Sequence, residues 1–147
     1  MGIWEEKISG KICPFCSPNG KELNNLHFIT DLEVSKLYLF KDQSFLGRSV
    51  LVYNQHITEL FHLEELERIK YYQDMIKVAE ALNKAFKPNK MNYIVLGDIS
   101  PHLHWHLVPR YKNDPHWGQN FLGKNTSPVY LEEEEYIALA EKIRKWL

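Results

Sequence analysis

The segment Pro101-His102-Leu103-His104-Trp105-His106-Leu107-Val108-Pro109-Arg110 constrains the fold most, because imidazoles and apolar side chains alternate along its centre. In extended backbone, successive side chains point to opposite faces. His102, His104 and His106 therefore share one face, and Leu103, Trp105 and Leu107 share the other. A strand with one apolar face needs a second layer over it, so a sheet set against helices is expected. Packing does not require three histidines at strict period 2, so the polar face is a candidate site. At roughly 3.3 Å per residue the outer two Cα atoms lie about 13 Å apart, whereas a zinc ligand sits about 2 Å from its ion. One ion cannot hold all three on a straight strand without strain, and separate tasks are expected. Imidazole, with a pKa of about 6.5, is mostly uncharged at pH 7 and nucleophilic. It attacks phosphorus well and leaves phosphorus well, which allows a two-step covalent displacement on a phosphate group.

The rest of the chain supplies the second layer. Leu37–Phe40 and Ser49–Tyr53 read as a β-hairpin turned by Asp42–Gly47. Leu63, Leu66, Ile69, Tyr72, Met75, Ile76, Ala79, Leu82 and Phe86 recur at steps of three and four, predicting a long helix that Lys87-Pro88 stops. Met91–Leu96 and Leu103–Val108 read as strands, the second bounded by Pro101 and Pro109. A loop runs from Tyr111 to Pro128, with Trp117 a candidate cover for a ligand or packing residue. A last helix over Leu131–Leu147 buries Tyr136, Leu139, Ala140, Ile143 and Leu147, its acidic start suiting a helix N-terminus. Hairpins with inserted helices predict a single α+β domain, residues 1–147, on an antiparallel sheet.

Bulk properties exclude several classes. At 147 residues a chain buries enough surface to need no disulfide staples. A net charge of −1 gives no basic footprint for nucleic acid. No apolar run approaches the roughly 20 residues of a membrane span. The acidic start Glu5-Glu6 does not resemble a signal peptide, and Glu6 stands where a myristoylation signal has Ser or Thr. A cytoplasmic location is the expectation. Cys13-Pro14-Phe15-Cys16 then has three readings: a redox pair, inert buried thiols, or half of a tetrahedral zinc site. A redox motif wants a helix starting at the first cysteine, and the following Ser17-Pro18-Asn19-Gly20 opposes one.

HLHWHLVPR resembles the histidine-triad (HIT) signature, and CPFC, YNQHITEL and MNYIVLGD are similar to a bacterial branch of that family. The resemblance covers about Ile12 to Tyr111. It implies a HIT-like antiparallel sheet with one long central helix and a C-terminal helix, dimerising through its sheet edge and long helix. It implies nucleotide hydrolysis or nucleotidyl transfer on dinucleoside polyphosphates or nucleoside phosphoramidates, with His104 as nucleophile toward the α-phosphorus and His106 as donor to the phosphate oxygens or leaving group. It also implies a structural zinc held by Cys13, Cys16, His56 and His102. Phe40 replaces the asparagine that often meets the ribose, which leaves Asp42 to take over that contact. Leu96–Pro101 replaces the usual glycine-and-glutamine approach, and Asp98 and Ser100 become the candidate phosphate contacts. The alternative from another class is a non-catalytic nucleotide-binding or regulatory module; a histidine-row metalloenzyme or thiol redox protein is a third. His27 and His62 have no motif support and read as surface residues.

Overall fold

The computed structural model describes residues 2–17, 21–122 and 127–147. In chain order the elements are α1 (Ile3–Ile8), α2 (Lys21–Asn24), β1 (Leu26–Asp31), β2 (Ser35–Phe40), β3 (Ser49–Tyr53), α3 (Glu65–Phe86), β4 (Lys90–Val95), β5 (His104–Arg110) and α4 (Glu133–Arg144). The strands form one antiparallel sheet ordered β1-β2-β3-β5-β4. This is the expected α+β architecture. Pro18–Gly20, from the expected tight loop, and residues 123–126, from the loop after the triad, lie outside the described residues.

The period-2 pattern sorts side chains onto the two faces. Leu37, Leu39, Leu51, Tyr53 and Leu107 pack under Tyr71, Met75, Val78 and Leu82 of α3 and Tyr136, Ala140 and Ile143 of α4. Leu37, Leu39, Leu51 and Leu107 are fully enclosed, and burying each is worth roughly 1.5–3 kcal/mol. On the opposite face Val50 and Val52 meet Leu26, Phe15, Tyr38 and Phe40. Both faces of β3 are thus covered, and all five of its residues are buried.

Four expectations need correction. Leu66, Ile69, Tyr72 and Ile76 are 63%, 48%, 58% and 38% exposed, so they form a second apolar stripe instead of joining the core face. Steps of three and four tile more than one face of a six-turn helix, and the sheet receives the smaller Val78, Ala81 and Ala85 instead. Strand β5 begins at His104 and runs through Pro109 to Arg110. A proline is tolerated there because the pairing with β3 has ended at Leu107. Leu147 is exposed beyond the end of α4. Strand β1 and helices α1 and α2 were not expected; β1 lacks clean alternation because a bulge interrupts it between Phe28 and Thr30.

Candidate functional site

Strand β5 places His104 and His106 on the face away from α3, opposite Val52 and Val50 of β3. Both line a cavity of about 250 Å³ walled by Phe15, Phe40, Val50, Leu96 and Leu122, with Asp98 and Ser100 at its polar side. His102 precedes the strand at a bend, so its ring does not join that row. The face reading therefore holds for two histidines and fails for the third.

His102 is turned into the cysteine pair. Its Nε2 donates to the Tyr53 carbonyl at 2.7 Å, which directs Nδ1 at Cys13 Sγ (3.3 Å) and Cys16 Sγ (3.4 Å). His56 is set the same way: Nε2 donates to the Ile8 carbonyl at 3.0 Å and Nδ1 faces Cys16 Sγ at 3.7 Å. The four donor atoms all lie within 4.8 Å of one another. A tetrahedral ion with ligand distances near 2.0–2.3 Å has edges of roughly 3.3–3.8 Å; the three His–Cys separations of 3.3, 3.4 and 3.7 Å fall in that range, and the set has the donor chemistry of a closed Cys2His2 centre. Carbonyl acceptors behind metal-ligating imidazoles are the usual support for such a site. Burial raises the Cys16 thiol to about 11, helped by the hydrogen bond with Cys13 and by its charge. A cation among these sulfurs would reverse that cost.

Phe15, between the two cysteines, links this cluster to the cavity. Its ring centroid is 5.4 Å from His102 and 4.9 Å from His104. His104 donates from Nδ1 to the His102 carbonyl at 2.7 Å. A carbonyl only accepts, so in the neutral ring Nε2 carries the lone pair. His106 meets Arg48: guanidinium Nη2 lies 3.3 Å from Nδ1. Burial lowers the His106 pKa to about 3, with the charges of Arg48 and His104 adding to the effect.

Of the four residues expected around the substrate, Phe40, Asp98 and Ser100 line the cavity. Asp42 does not: its Oδ1 accepts the amides of Ser44 and Val129 at 3.0 Å each, bracing a loop. Trp117 lies off the cavity wall, which Leu122 supplies instead. The loop carrying them is fastened by buried Arg110, which donates to the carbonyls of His116 and Gln119 and to Asp114. His27 is not a bare surface residue, because it stacks on Tyr136 with centroids 5.7 Å apart. Arg48 was missed. Its only sequence signal is a charge at the head of an otherwise apolar strand.

The HIT domain family model matches residues 32–113, more than half of the chain. An uncharacterised HIT-like protein of Borreliella burgdorferi is 24% identical over 144 residues, covering 89% of this chain and 95% of the relative. A histidine triad protein of Sinorhizobium meliloti has a similar structure, with TM-score 0.82, 26% identity and coverage of 89% and 96%. One from Bradyrhizobium japonicum gives TM-score 0.80 at 25% identity, covering 88% of this chain and 96% of that one. Sequence motif, sheet order and these likenesses agree: the chain belongs to the HIT domain family.

Proposed function

We propose that the chain is a nucleotide hydrolase or nucleotidyl transferase acting at the α-phosphate. The observation that carries this reading is the His104 hydrogen bond to the His102 carbonyl, which fixes the tautomer of an imidazole that lines a cavity of about 250 Å³. The His104 Nε2 pair forms a bond to the α-phosphorus, and the bond from phosphorus to the leaving group breaks with its electrons on that group. Positive charge then spreads over the substituted ring, and the Nδ1–H bond to the carbonyl stabilises it. Water attacks phosphorus, the N–P bond breaks back onto Nε2, and a proton passes to solvent with release of the nucleoside monophosphate. His106 donates to the phosphate oxygens, and Asp98 and Ser100 supply polar contacts at the mouth.

We assign Cys13, Cys16, His56 and His102 as ligands of a structural zinc. Bound there, the ion would neutralise the thiolates and fix the backbone from which His104 hangs; four protein ligands leave it no open position for substrate. We further assign the exposed stripe of Leu66, Ile69, Tyr72 and Ile76, beside edge strand β4 with its half-exposed Tyr93, to a second copy of the chain. Ile76→Glu is expected to run as a monomer in sedimentation. A monomeric wild type would sink that assignment.

Phe40 favours a second reading, a non-catalytic nucleotide-binding module, because a ring cannot hold ribose hydroxyls. One experiment decides. The full chain and His104→Ala are incubated, without added divalent metal, with diadenosine tetraphosphate and with AMP phosphoramidate. AMP release confined to the wild type supports catalysis; equal release, or binding without release, overturns it.

A further inference from the structure

Arg48 immediately precedes β3 and is only 7% exposed, yet among the described residues it forms no ion pair. Its guanidinium carbon sits 4.0 Å from the Phe40 ring centroid and 5.0 Å from that of Phe121, and its Nε is buried without a hydrogen-bond partner. A buried cation held by two aromatic faces is costly unless a neighbour uses it. The polar side chain it reaches is His106, at Nδ1.

A guanidinium has donors and no acceptor, and it does not lose its proton at physiological pH. His106 Nδ1 must therefore accept, and its proton must sit on Nε2, the nitrogen turned from Arg48. We propose that Arg48 is a positioning residue that fixes His106 as a neutral Nε2–H donor, and that the site consequently favours leaving groups that depart as oxyanions. This deepens the nucleotidyl-transfer reading and rests on it. A neutral imidazole donates a hydrogen bond to a phosphate oxygen but does not surrender its proton to a leaving nitrogen. When the bond from the α-phosphorus to a bridging oxygen breaks, the electron pair stays on a phosphate whose second pKa is about 6, so no proton is needed. When the bond is to nitrogen, the amine departs only after protonation, and His106 cannot supply that proton. Among the described residues, the charged and titratable side chains around His106 are Arg48, just before β3, His104 from its own strand, and Asp98, which lines the same cavity from the loop between β4 and β5; the first is a permanent cation, the second is the nucleophile and the third is an acidic side chain, so no imidazolium stands beside a leaving nitrogen. The substrate class this favours is a nucleoside polyphosphate with a phosphate or nucleotide leaving group.

The test uses the purified full chain with its metal, labelled with 15N. Long-range proton–nitrogen correlations at pH 7 are expected to show His106 as the neutral Nε2–H tautomer. An Nδ1–H ring or an imidazolium would overturn the proposal. In parallel, kcat/KM is compared for diadenosine tetraphosphate and AMP phosphoramidate. The polyphosphate is expected to lead by about 10² or more, the usual contribution of a general acid. Parity, or preference for the phosphoramidate, would overturn the leaving-group claim. Arg48→Lys, which keeps a donor-only cation, is expected to retain the tautomer and the preference, whereas Arg48→Met mixes the tautomers and narrows the ratio. If neither substrate is consumed, the catalytic reading fails instead, and the tautomer still decides the role of Arg48.

Discussion

His102 supports His104 directly: the carbonyl of the first accepts from Nδ1 of the second at 2.7 Å, while the His102 ring faces both cysteines. The proposed metal site and the proposed nucleophile thus share one residue. Cys16→Ser is expected to empty the cluster of metal and to lower kcat about 10–100-fold with His104 intact, the range seen when support around a metal site is cut. Metal content by mass spectrometry beside kcat checks this. Full activity in the metal-free variant would disprove the coupling.

The alternation around the triad was legible because β5 has one apolar face to bury, and it placed His104 and His106 correctly. It misplaced His102, because the backbone bend that turns this residue toward Cys13 leaves no composition signal. CPFC was legible as a candidate ligand pair for a different reason, since its spacing suits one ion and the Pro and Gly after it oppose a helix. Arg48 and Phe121 were not legible: one sits 58 positions from His106 and the other arrives on an irregular loop. The two stripes of α3 merged into one in the sequence, since both obey the same helical period.

Asp74 lies on α3 and is fully buried. It accepts from Ser35 Oγ at 2.6 Å, the Val34 amide at 3.0 Å and the Glu33 amide at 3.3 Å, so it locks the β1–β2 turn onto the helix. Asp74→Ala strands three donors and is expected to cost roughly 3–5 kcal/mol. Asp74→Asn keeps an acceptor and loses less. Urea unfolding of the three proteins checks the order; an alanine variant within 1 kcal/mol of wild type, roughly the value of a single net hydrogen bond, would refute it.

Acid should unfold the metal-free chain early. Burial depresses His102 to about 4 and His106 to about 3, whereas both titrate near 6.5 when unfolded. Between these limits the unfolded chain binds protons that the folded chain refuses, so stability is intact above pH 6.5 and falls as pH drops. Each group contributes a slope of about 1.4 kcal/mol per pH unit, and both act together between roughly pH 4 and 6. His106→Gln keeps an acceptor for Arg48 and is expected to remove one of the two contributions. Urea midpoints measured from pH 7 to pH 4.5 decide; identical slopes in wild type and variant would exclude His106 as a source.

Gly47 holds the backbone from which Arg48 departs. Its φ is 87°, and a Cβ there would lie 2.9 Å from both Phe86 and Pro109. The φ alone costs a non-glycine residue about 1–3 kcal/mol. The clash adds an overpacking cost of similar size, because Phe86 ends α3 and Pro109 belongs to β5, so relief requires moving one of two fixed elements. Gly118 separates these effects: its φ is 85°, and a Cβ there meets nothing within 4 Å. Gly118→Ala is therefore expected to show the backbone cost alone, and Gly47→Ala a loss larger by about 1–3 kcal/mol. Gly47→Ala should also lower kcat beyond what its stability loss explains, since any shift of residue 47 moves the guanidinium at His106. Equal thermal destabilisation by the two substitutions would show that the Phe86–Pro109 contact yields, and that the strand head is looser than its geometry implies.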